Sequence, residues 1–310
     1  MPRPDNPGLR SMRVRIISRD NGWGLSQDIA ILRGALVGIS GQRIEVAYAD
    51  WRSVPVGKYD LNIFLELLNP AFYRHASRNV LVPNPEWFMP AWLPHLKALD
   101  SVWCKTQDAA RIFSSHHQRT EYIGWTSRDC LDSTVPREHS LIHVAGDSTS
   151  KGTRHVIAAM AKLPEYRLTI LTSQRWGTVT PNVTVRGRLE SPEFLAEQNR
   201  HMVHLCPSTY EGFGHYINEA RSCGAFIITT NAAPMNELVT EEFGMGCGVS
   251  STGPERMGYA HQADPHALAD CIRIAMSAPI ESLTSCGVNA RAAYLAGREE
   301  FDRNLIQAIS

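Results

Sequence analysis

The 310-residue sequence lacks an excess of charge of either sign, because its 31 lysines and arginines are matched by 31 aspartates and glutamates. A chain without net charge has no global field that would draw it to nucleic acid or to an anionic membrane. It also lacks any apolar run of the roughly 18 residues that a membrane-spanning helix requires. Binding partners must therefore be inferred from local groups of residues, and peripheral contact with a membrane stays open.

The seven cysteines contain no CxxC pair, and four of them stand among apolar or small residues, as buried thiols do. The amino terminus, Met1–Gly8, lacks the apolar segment of a signal peptide. The adjacent histidines His116 and His117 have no suitable neighbouring ligands, so we expect them at the surface and predict no metal site. Together these absences predict a protein of the reducing cytoplasm.

The sequence does contain short β-rich runs that alternate with longer segments able to form helices. Such alternation predicts parallel strands with helical crossovers, hence doubly wound α/β domains. The length exceeds the usual single-domain range, and an apolar fraction of 43% gives each of two domains a core. We therefore predict a Rossmann-like domain at residues 1–130, a second at 139–290, and a C-terminal helix at 291–310 that can return to the first domain. The polar stretch Thr126–Glu138 is the predicted linker.

The glycine turn Gly22-Trp-Gly24 precedes the first expected helix. Later helices are expected at Val156–Leu163, at Pro192–Asn199 with Ser191 as N-cap, and from Leu268 to Ile309. The expected strands are Val14–Ile17, Ile44–Tyr48, Leu61–Leu65, Val80–Val82, Ser101–Trp103 and Glu121–Ile123 in the first half, then Leu141–Val144, Arg167–Leu171, Val183–Val185, Met202–Leu205 and Ala225–Thr229 in the second.

A glycine-rich turn, Pro207-Ser-Thr-Tyr-Glu211-Gly-Phe-Gly214, leads into an expected helix that begins near His215. Backbone N–H groups and the positive end of the helix dipole suit a phosphate or a carboxylate at such a position. Glu211 precedes the helix and Glu219 lies on its first turns, so the two carboxylates can flank the anion and accept hydrogen bonds from sugar hydroxyls. An isolated pair of glutamates at this spacing is more often an ordinary pair of surface residues.

The loop Ser148-Thr-Ser-Lys151-Gly152, which comes earlier in the sequence, strengthens this prediction. It lies after the first strand of the second domain, where small residues let the backbone approach a ligand and Lys151 supplies a charge for a phosphate oxygen. Its spacing does not fit the P-loop motif. Both loops follow strands of one parallel sheet and should meet at its carboxyl edge, where such sheets bind ligands.

With these two loops, residues 141–240 resemble the donor-binding half of family-4 retaining glycosyltransferases, in which Glu211 and Glu219 form an E-x7-E motif. The resemblance implies a GT-B fold, with two Rossmann-like domains facing a central cleft. It implies transfer of a sugar from a nucleoside-diphosphate sugar (a UDP- or GDP-sugar) to an acceptor hydroxyl with retention, without an obligatory cofactor or metal ion. The motifs that carry it are Val185-Arg-Gly-Arg-Leu189, Pro207-Ser208, the glycine-rich turn and Ala225–Glu237.

The resemblance also implies roles for individual residues. Lys151 should bind the diphosphate, Glu219 the ribose of the nucleotide, and Glu211 the transferred sugar. Backbone atoms near Arg188 and Leu189 should bind the base. Further donor-binding residues implied in this way are Gly22, Trp23, Gly24, Ser148, Gly152, Gly212, Phe213, Gly214, His215 and Tyr216.

The sequence departs from the family pattern in the first loop of the second domain. Many members have an arginine ahead of the lysine, where this chain reads Gly146-Asp147-Ser148. Arg154 or Arg188 could supply the missing phosphate charge.

A second departure concerns the first domain, where many members have a histidine that faces the donor sugar. The corresponding stretch here is Val80–Trp87 and contains none. Asn84 and Glu86 stand there instead, and Glu86 could position or deprotonate an acceptor hydroxyl. A plain turn at Asn84-Pro-Glu86 is an equally good interpretation.

Other residues of the first domain carry weaker signals for the acceptor. Glu66 ends an apolar strand and could bind a ligand, cap a helix or form an ion pair. The aromatic cluster Trp87, Phe88 and Trp92 is more often core than a stacking platform. The acceptor is expected to be a saccharide, a lipid-linked glycan or a small metabolite. A modified nucleic-acid base is less favoured, although a basic face could form from Arg74, His75, Arg78, Lys105, Arg111 and Arg119.

Two other functions stay open at this point. A nucleotide-sugar epimerase or a phosphorylase also uses paired Rossmann-like domains, although neither explains the order of the motifs as well. A nucleotide-sugar-binding module without catalysis is compatible with the missing histidine.

Overall fold

The computed structural model describes residues 11–310, so the Pro-rich lead-in at residues 1–10 lies outside the described residues. The chain divides into two compact units. The first contains the residues up to Gly124 together with Glu300–Ser310, and the second contains Trp125–Glu299. Each unit holds a six-stranded parallel sheet, which confirms the predicted α/β class with two Rossmann-like halves.

The strands of the first sheet lie in the order β2-β1-β3-β4-β5-β6, all parallel. Their apolar residues are buried on both faces of the sheet, as expected where helices cover a parallel sheet. The strands are β1 Met12–Ser18, β2 Ile44–Asp50, β3 Tyr59–Leu65, β4 Ala76–Val82, β5 Ser101–Cys104 and β6 Thr120–Tyr122, and the helices are α1 Gly24–Gly38, α2 Leu93–Leu96 and α3 Gln107–Ser114, with short 3-10 helices at Pro70–His75 and Pro90–Trp92.

The second sheet has the order β12-β11-β10-β7-β8-β9, again parallel, and is accompanied by an antiparallel hairpin of β13 and β14. The strands are β7 Glu138–Gly146, β8 Leu168–Thr172, β9 Val183–Arg186, β10 His201–Cys206, β11 Phe226–Thr230, β12 Gly244–Cys247, β13 Val249–Glu255 and β14 Gly258–Ala263, and the helices are α4 Thr153–Met160, α5 Ser191–Arg200, α6 His215–Ser222, α7 Pro265–Ser277 and α8 Ile280–Ile309, with a 3-10 helix at Met235–Leu238.

The core of the second unit forms where α4 and α7 pack on its sheet. Val156 and Met160 of α4 are fully buried, as are Leu268 and Ile272 of α7. Burial of one such side chain contributes about 1.5–3 kcal/mol. This packing fixes the carboxyl edge of the sheet, from which the loops of the candidate site extend.

The expected strands all appear, but two details of the predicted secondary structure are wrong. Helix α5 begins at Ser191, and its N-cap is Glu190, which makes no side-chain cap hydrogen bond. Three strands were not expected: β12 and the hairpin strands β13 and β14. They contain glycines, a proline and polar residues, which weaken the local β signal.

The expected linker Thr126–Glu138 has no regular structure until β7 begins at Glu138. Even so, Ser127 and Cys130 are buried in the second unit. Nδ2 of Asn218 donates to Oγ of Ser127, and the N–H of Cys130 donates to Oγ of Ser222. The first part of this segment is therefore a packed component of the second unit.

Helix α8 ends in the first unit. There Nη2 of Arg78 donates to the main-chain oxygen of Ala308 at 2.6 Å. A cation suits this position, because the last carbonyls of a helix have no partner within the helix. Within residues 11–310, no helix combines the length and the apolar character that crossing a membrane requires.

Candidate functional site

Two loops meet at the carboxyl edge of the second sheet: the first loop, residues 147–152, follows β7, and the second loop, residues 207–214, follows the neighbouring strand β10. The N–H of Thr209 donates to the main-chain oxygen of Ser150 at 2.8 Å. Gly152 has a φ of +73°, and a Cβ atom there would lie 2.0 Å from the main-chain oxygen of Pro207. The approach of the two loops therefore requires a glycine at position 152.

A charged contact joins the same two loops. Nζ of Lys151 lies 2.5 Å from Oε1 of Glu211, and it also lies 4.2 Å from the centre of the Tyr216 ring. Ser208 donates from Oγ to Glu211 and shares a 2.7 Å hydrogen bond with the hydroxyl of Tyr216. The structure thus brings together three residues that the sequence predicts for the site: Lys151, Glu211 and Tyr216.

Helix α6 begins beside this pair. Its N-cap is Gly214, whose φ is +101°, and no side chain caps the helix. The first helical hydrogen bonds run from the N–H groups of Ile217 and Asn218 to the oxygen of Gly214. The ring of His215 packs edge-on against that of Phe213, which is buried, at 5.6 Å between centroids. An uncapped helix N-terminus next to a lysine suits an anionic ligand.

Glu219 lies further along α6 in different surroundings. It is only 5% exposed, and its Oε2 accepts a 3.4 Å hydrogen bond from Nε2 of Gln198. Partial burial lowers the pKa of Arg128, but the nearby Cys130 sulfur and the Glu219 carboxylate raise it, and the net result is a raised pKa. Arg128 is thus a second neighbour of the Glu219 carboxylate. The two glutamates of the motif therefore have separate partners.

A buried histidine that the sequence analysis did not select supports the loop of Lys151. His143 on β7 contacts the main-chain oxygen of Leu205 through Nδ1 at 2.7 Å and Oγ1 of Thr153 through Nε2 at 2.9 Å. Burial, opposed by the bond to Leu205, lowers the pKa of His143 to about 4. The neutral imidazole donates from Nδ1 to the carbonyl and accepts from Thr153. The only sequence signal was a polar residue inside an apolar strand.

The first loop also contacts the loop that follows the neighbouring strand β8. Nε2 of Gln174, in the loop after β8, donates to the oxygen of Asp147 at 2.6 Å. Oγ of Ser148 shares a 2.9 Å hydrogen bond with Oγ of Ser150. Side chains of the loop thus stabilise its own fold, and the role of Ser148 toward a donor stays a prediction.

Of the two arginines considered as replacements for a missing phosphate ligand, Arg154 is bonded elsewhere. Its guanidinium donates to Oε1 of Gln262 on the hairpin strand β14 and also contacts His155. Arg188 is exposed in the segment after β9, next to Leu189, at the same edge of the sheet. The role of either arginine toward a phosphate stays a prediction.

The unexpected hairpin contacts the second loop. The N–H of His261 on β14 donates to the main-chain oxygen of Thr209 at 2.8 Å. Two-stranded hairpins have little stability of their own in water. This bond, the contact with Arg154 and the burial of Ala263 in the core of the second unit together stabilise the hairpin. The hairpin is thereby linked to the loop that carries Glu211.

In the first unit, Glu66 and Asn84 follow the carboxyl ends of β3 and β4. Glu66 is 9% exposed and has a φ of +66°, a conformation that costs free energy in a residue with a side chain. The main-chain oxygen of Asn84 accepts from the N–H groups of Trp87 and Phe88, so this segment is a turn. Oδ1 of Asn84 is buried and has no hydrogen-bond partner within residues 11–310. Glu86 is buried too.

The glycine loop before α1 is occupied by its own side chains. The N–H of Gly22, whose φ is +72°, donates to Asp20 and Ser26, and the N–H of Trp23 donates to Asn21. Half of the Trp23 side chain is exposed, and Gly24 is the first residue of α1. The N–H groups of Gly22 and Trp23 are thus already hydrogen-bonded within the loop. The role of this loop toward a donor stays a prediction.

The aromatic cluster of the first unit is largely core. Phe88 is fully buried, and its ring meets those of Trp92 and Phe113 edge-on at 5.7 and 5.1 Å. Trp87 differs because it is 45% exposed. The interpretation of this cluster as packing therefore holds for Phe88.

Two of the six residues considered for a basic face, Arg78 and Lys105, are bonded to other parts of the first unit, and the basic face itself stays a prediction. Lys105 is 3% exposed and pairs with the buried Asp28 at 2.5 Å, while Arg78 bonds to the end of α8.

Of the adjacent histidines, His117 bonds through Nε2 to the main-chain oxygen of Leu99. Over the described part of the chain, no group of three or more His, Cys, Asp and Glu side chains is arranged to hold a metal ion. All seven cysteines are free thiols, of which five are buried.

Residues 138–277, which include both loops and α6, match a family model described as Glycosyl transferases group 1. The match spans less than half of the chain. No curated protein sequence matches at a significant level.

Solved structures of glycosyltransferases resemble the whole chain. A glycosyltransferase from Rickettsia africae ESF-5 gives a TM-score of 0.72 at 11% identity, over 97% of this chain and 98% of that one. Sucrose-phosphate synthase from Thermosynechococcus elongatus gives 0.71 at 14% identity, over 96% and 98%. The pneumococcal O-GlcNAc transferase GtfA, in complex with UDP and GlcNAc, gives 0.63 at 15% identity, over 82% and 57%. The chain thus spans little more than half the length of GtfA, and the same is true for a chain of the GtfA/B complex.

At these identities the likeness establishes the fold. Two parallel six-stranded sheets in two Rossmann-like units are shared with these glycosyltransferases, which confirms the predicted GT-B fold. The family-4 subtype and the E-x7-E assignment stay predictions. The chain therefore has a GT-B fold, and its residues 138–277 carry the sequence pattern of the group 1 glycosyl transferases.

Proposed function

We propose that this protein is a retaining glycosyltransferase that moves a sugar, of hexosyl type, from a nucleoside-diphosphate sugar to an acceptor hydroxyl. The contact of Lys151 with Glu211 is the main support, because it joins two loops that were each predicted to bind the donor. The structural neighbour in complex with UDP and GlcNAc favours a UDP-sugar, and a GDP-sugar is the other candidate.

The diphosphate binds between Lys151 and the N-terminus of α6. A lysine ammonium has three N–H donors, so Lys151 can contact a phosphate oxygen while it keeps its bond to Glu211. As the bond between the sugar and the diphosphate breaks, negative charge grows on the leaving oxygen. The lysine and the backbone amides near Gly214 to Tyr216 stabilise that charge, and fixed donors of this kind are a major source of rate enhancement.

The sugar and the nucleoside contact the two glutamates. Glu211 accepts hydrogen bonds from hydroxyls of the transferred sugar, and Glu219 accepts them from the ribose. Backbone atoms near Arg188 and Leu189 contact the base. Both carboxylates lie on or next to α6, which supports a single ligand that extends along the start of this helix.

Glu86 and Asn84 of the first unit bind the acceptor. The acceptor oxygen attacks the anomeric carbon on the face from which the diphosphate departs, so the configuration is retained. Its proton passes to the departing phosphate oxygen or to Glu86, and no protein nucleophile is needed. The buried, unpaired Oδ1 of Asn84 supports a ligand with a hydrogen-bond donor at this position. The acceptor is a saccharide, a lipid-linked glycan or a small metabolite.

The test is incubation of the purified protein with a panel of UDP- and GDP-sugars, with and without candidate acceptors. Release of the nucleoside diphosphate and of a new glycoside is expected, and NMR of the product should show the anomeric configuration of the donor. The Lys151→Ala variant, purified in the same way, identifies activity from a contaminating enzyme. A product of inverted configuration would contradict retention. Formation of a 2-epimer would indicate an epimerase, and tight binding without turnover a binding module.

A further inference from the structure

The side-chain amide of Gln198, near the end of α5, lies against the carboxylate of Glu219. Gln198 is 1% exposed and Glu219 is 5% exposed. Nε2 of Gln198 donates to Oε2 of Glu219 across 3.4 Å. Because a carboxylate only accepts hydrogen bonds, the amide nitrogen must face it and the amide oxygen must point away. The long distance leaves room for this bond to tighten when a ligand binds.

The backbone of Gln198 is fixed by its neighbours. Its main-chain oxygen bonds to Nε2 of His204 at 2.9 Å. The next side chain, Asn199, donates to the oxygens of Cys130 and Leu195 at 2.7 and 2.9 Å. The side chain of Gln198 therefore extends from a backbone segment that is held by several hydrogen bonds. Its amide has a defined position next to the carboxylate of Glu219.

Packing alone does not explain a glutamine at this position. Oε1 of Gln198 is buried and has no hydrogen-bond partner among the described residues. An unsatisfied buried amide oxygen is destabilising, and an apolar side chain of the same length would avoid that cost. Within the described part of the chain, the hydrogen bond to Glu219 is the one polar contact of the Gln198 side chain, so it is the contact that accounts for an amide at this position.

We propose that Gln198 is a positioning residue that holds the carboxylate of Glu219 in the orientation that binds the ribose hydroxyls of the donor. The inference rests on the proposed function, in which Glu219 binds ribose. A carboxylate whose rotamer is already fixed loses less conformational entropy when the ligand binds, so the affinity for ribose increases. The contribution of Gln198 is therefore to recognition of ribose more than to stability of the fold.

The experiment measures the ribose preference, defined as the Kd of a 2′,3′-dideoxynucleoside diphosphate divided by the Kd of the nucleoside diphosphate. Calorimetry with UDP and GDP and their dideoxy forms gives this ratio for the wild type and for variants. The wild type should prefer ribose by at least about tenfold, as expected for a hydrogen-bonded carboxylate. Gln198→Met, which keeps the length but removes the amide, should reduce that preference to less than about threefold while the melting temperature stays the same or rises. Gln198→Glu, which places a like charge beside Glu219, should abolish it.

Two controls separate positioning from stability. Gln307→Met removes an exposed amide on α8 and should leave both the preference and the melting temperature unchanged. Asn182→Leu breaks three structural hydrogen bonds of the second unit, to the oxygens of Met160, Leu163 and Tyr166, none of which involves Gln198. It should therefore lower the melting temperature but keep the ribose preference.

A wild type that binds neither UDP nor GDP would overturn the proposed function and this assignment with it. A wild type that prefers ribose, with the same preference in Gln198→Met, would overturn the role of Gln198 alone. Loss of the preference in Gln198→Met without loss of stability is the expected result.

Discussion

Nζ of Lys151 lies 2.5 Å from Oε1 of Glu211, although 60 positions separate the two residues in the sequence. The contact is partly exposed, so its net contribution to stability is small, about 0–1 kcal/mol. The contact contributes mainly to the geometry of the site, because it places a cation and a carboxylate side by side at the start of α6. The two residues should therefore differ in their effects on binding of the nucleotide and on transfer of the sugar.

Replacement of Lys151 by alanine should weaken binding of a nucleoside diphosphate about ten- to hundredfold, because a charge-assisted hydrogen bond to phosphate is lost. Calorimetry with UDP and GDP measures this change. Lys162→Ala removes an exposed lysine just after α4 and is the matched control. Equal affinity of the Lys151→Ala variant and the wild type would show that the diphosphate binds elsewhere.

Replacement of Glu211 by glutamine should have a different effect. The variant releases Lys151 from its anionic partner, so the affinity for UDP or GDP without a sugar should stay the same or increase. Turnover of the nucleotide sugar should fall by at least about tenfold, because a charged acceptor of sugar hydroxyls is lost. Parallel loss of nucleotide affinity and turnover would contradict this division of roles. Glu281→Gln, on an exposed position of α8, should alter neither quantity.

Replacement of Gly152 by alanine should destabilise the second unit strongly. The φ of +73° costs a residue with a side chain about 1–2 kcal/mol, and the Cβ atom would also meet the oxygen of Pro207. We expect a total loss of at least about 3 kcal/mol in urea unfolding, since the two loops must separate. Gly146→Ala is the matched control, because its φ is +56° and no atom lies within 4 Å of a Cβ there. It should show the backbone cost alone, and equal losses in the two variants would contradict the close approach of the loops.

Periodicity predicted those strands whose apolar runs are continuous and bounded by loops. Leu141–Val144 and Met202–Leu205 lie within β7 and β10, which occupy the centre of the second sheet. β12 contains the run Gly-Met-Gly-Cys, and β13 contains a glycine and a proline. Their structure depends on neighbouring strands, which local sequence does not reveal.

For the site, the order of motifs predicted which loops would meet, since the carboxyl ends of parallel strands share one edge of the sheet. It did not predict which side chains would pair. The bond of Arg154 to Gln262 depends on a hairpin that was itself not predicted. The support that His143 gives the first loop depends on the neutral imidazole, which burial favours, and on the tautomer, which the carbonyl of Leu205 selects. Such partners are decided by tertiary packing, so they appear only when the fold is known.

His143 and His204 should make the protein sensitive to mild acid. Burial, the main cause for both, lowers the pKa of His143 to about 4 and that of His204 to about 3, whereas an unfolded histidine titrates near ~6.5. Between these pH values the two histidines are therefore protonated in the unfolded chain and neutral in the folded chain. The contribution of these neutral imidazoles to the free energy of unfolding is fully present above pH ~6.5. It is lost as the pH falls from that value toward the folded pKa values.

His204→Gln tests this linkage because an amide can still donate to the oxygen of Gln198 but does not titrate. The free energy of unfolding, measured in urea from pH 7 to pH 4, should fall by about 3 kcal/mol less in the variant than in the wild type. His116→Gln, at an exposed position, should keep the pH dependence of the wild type. An equally steep loss of stability in His204→Gln and in the wild type would mean that His204 titrates alike in the folded and unfolded chains, which would contradict its burial as a neutral donor.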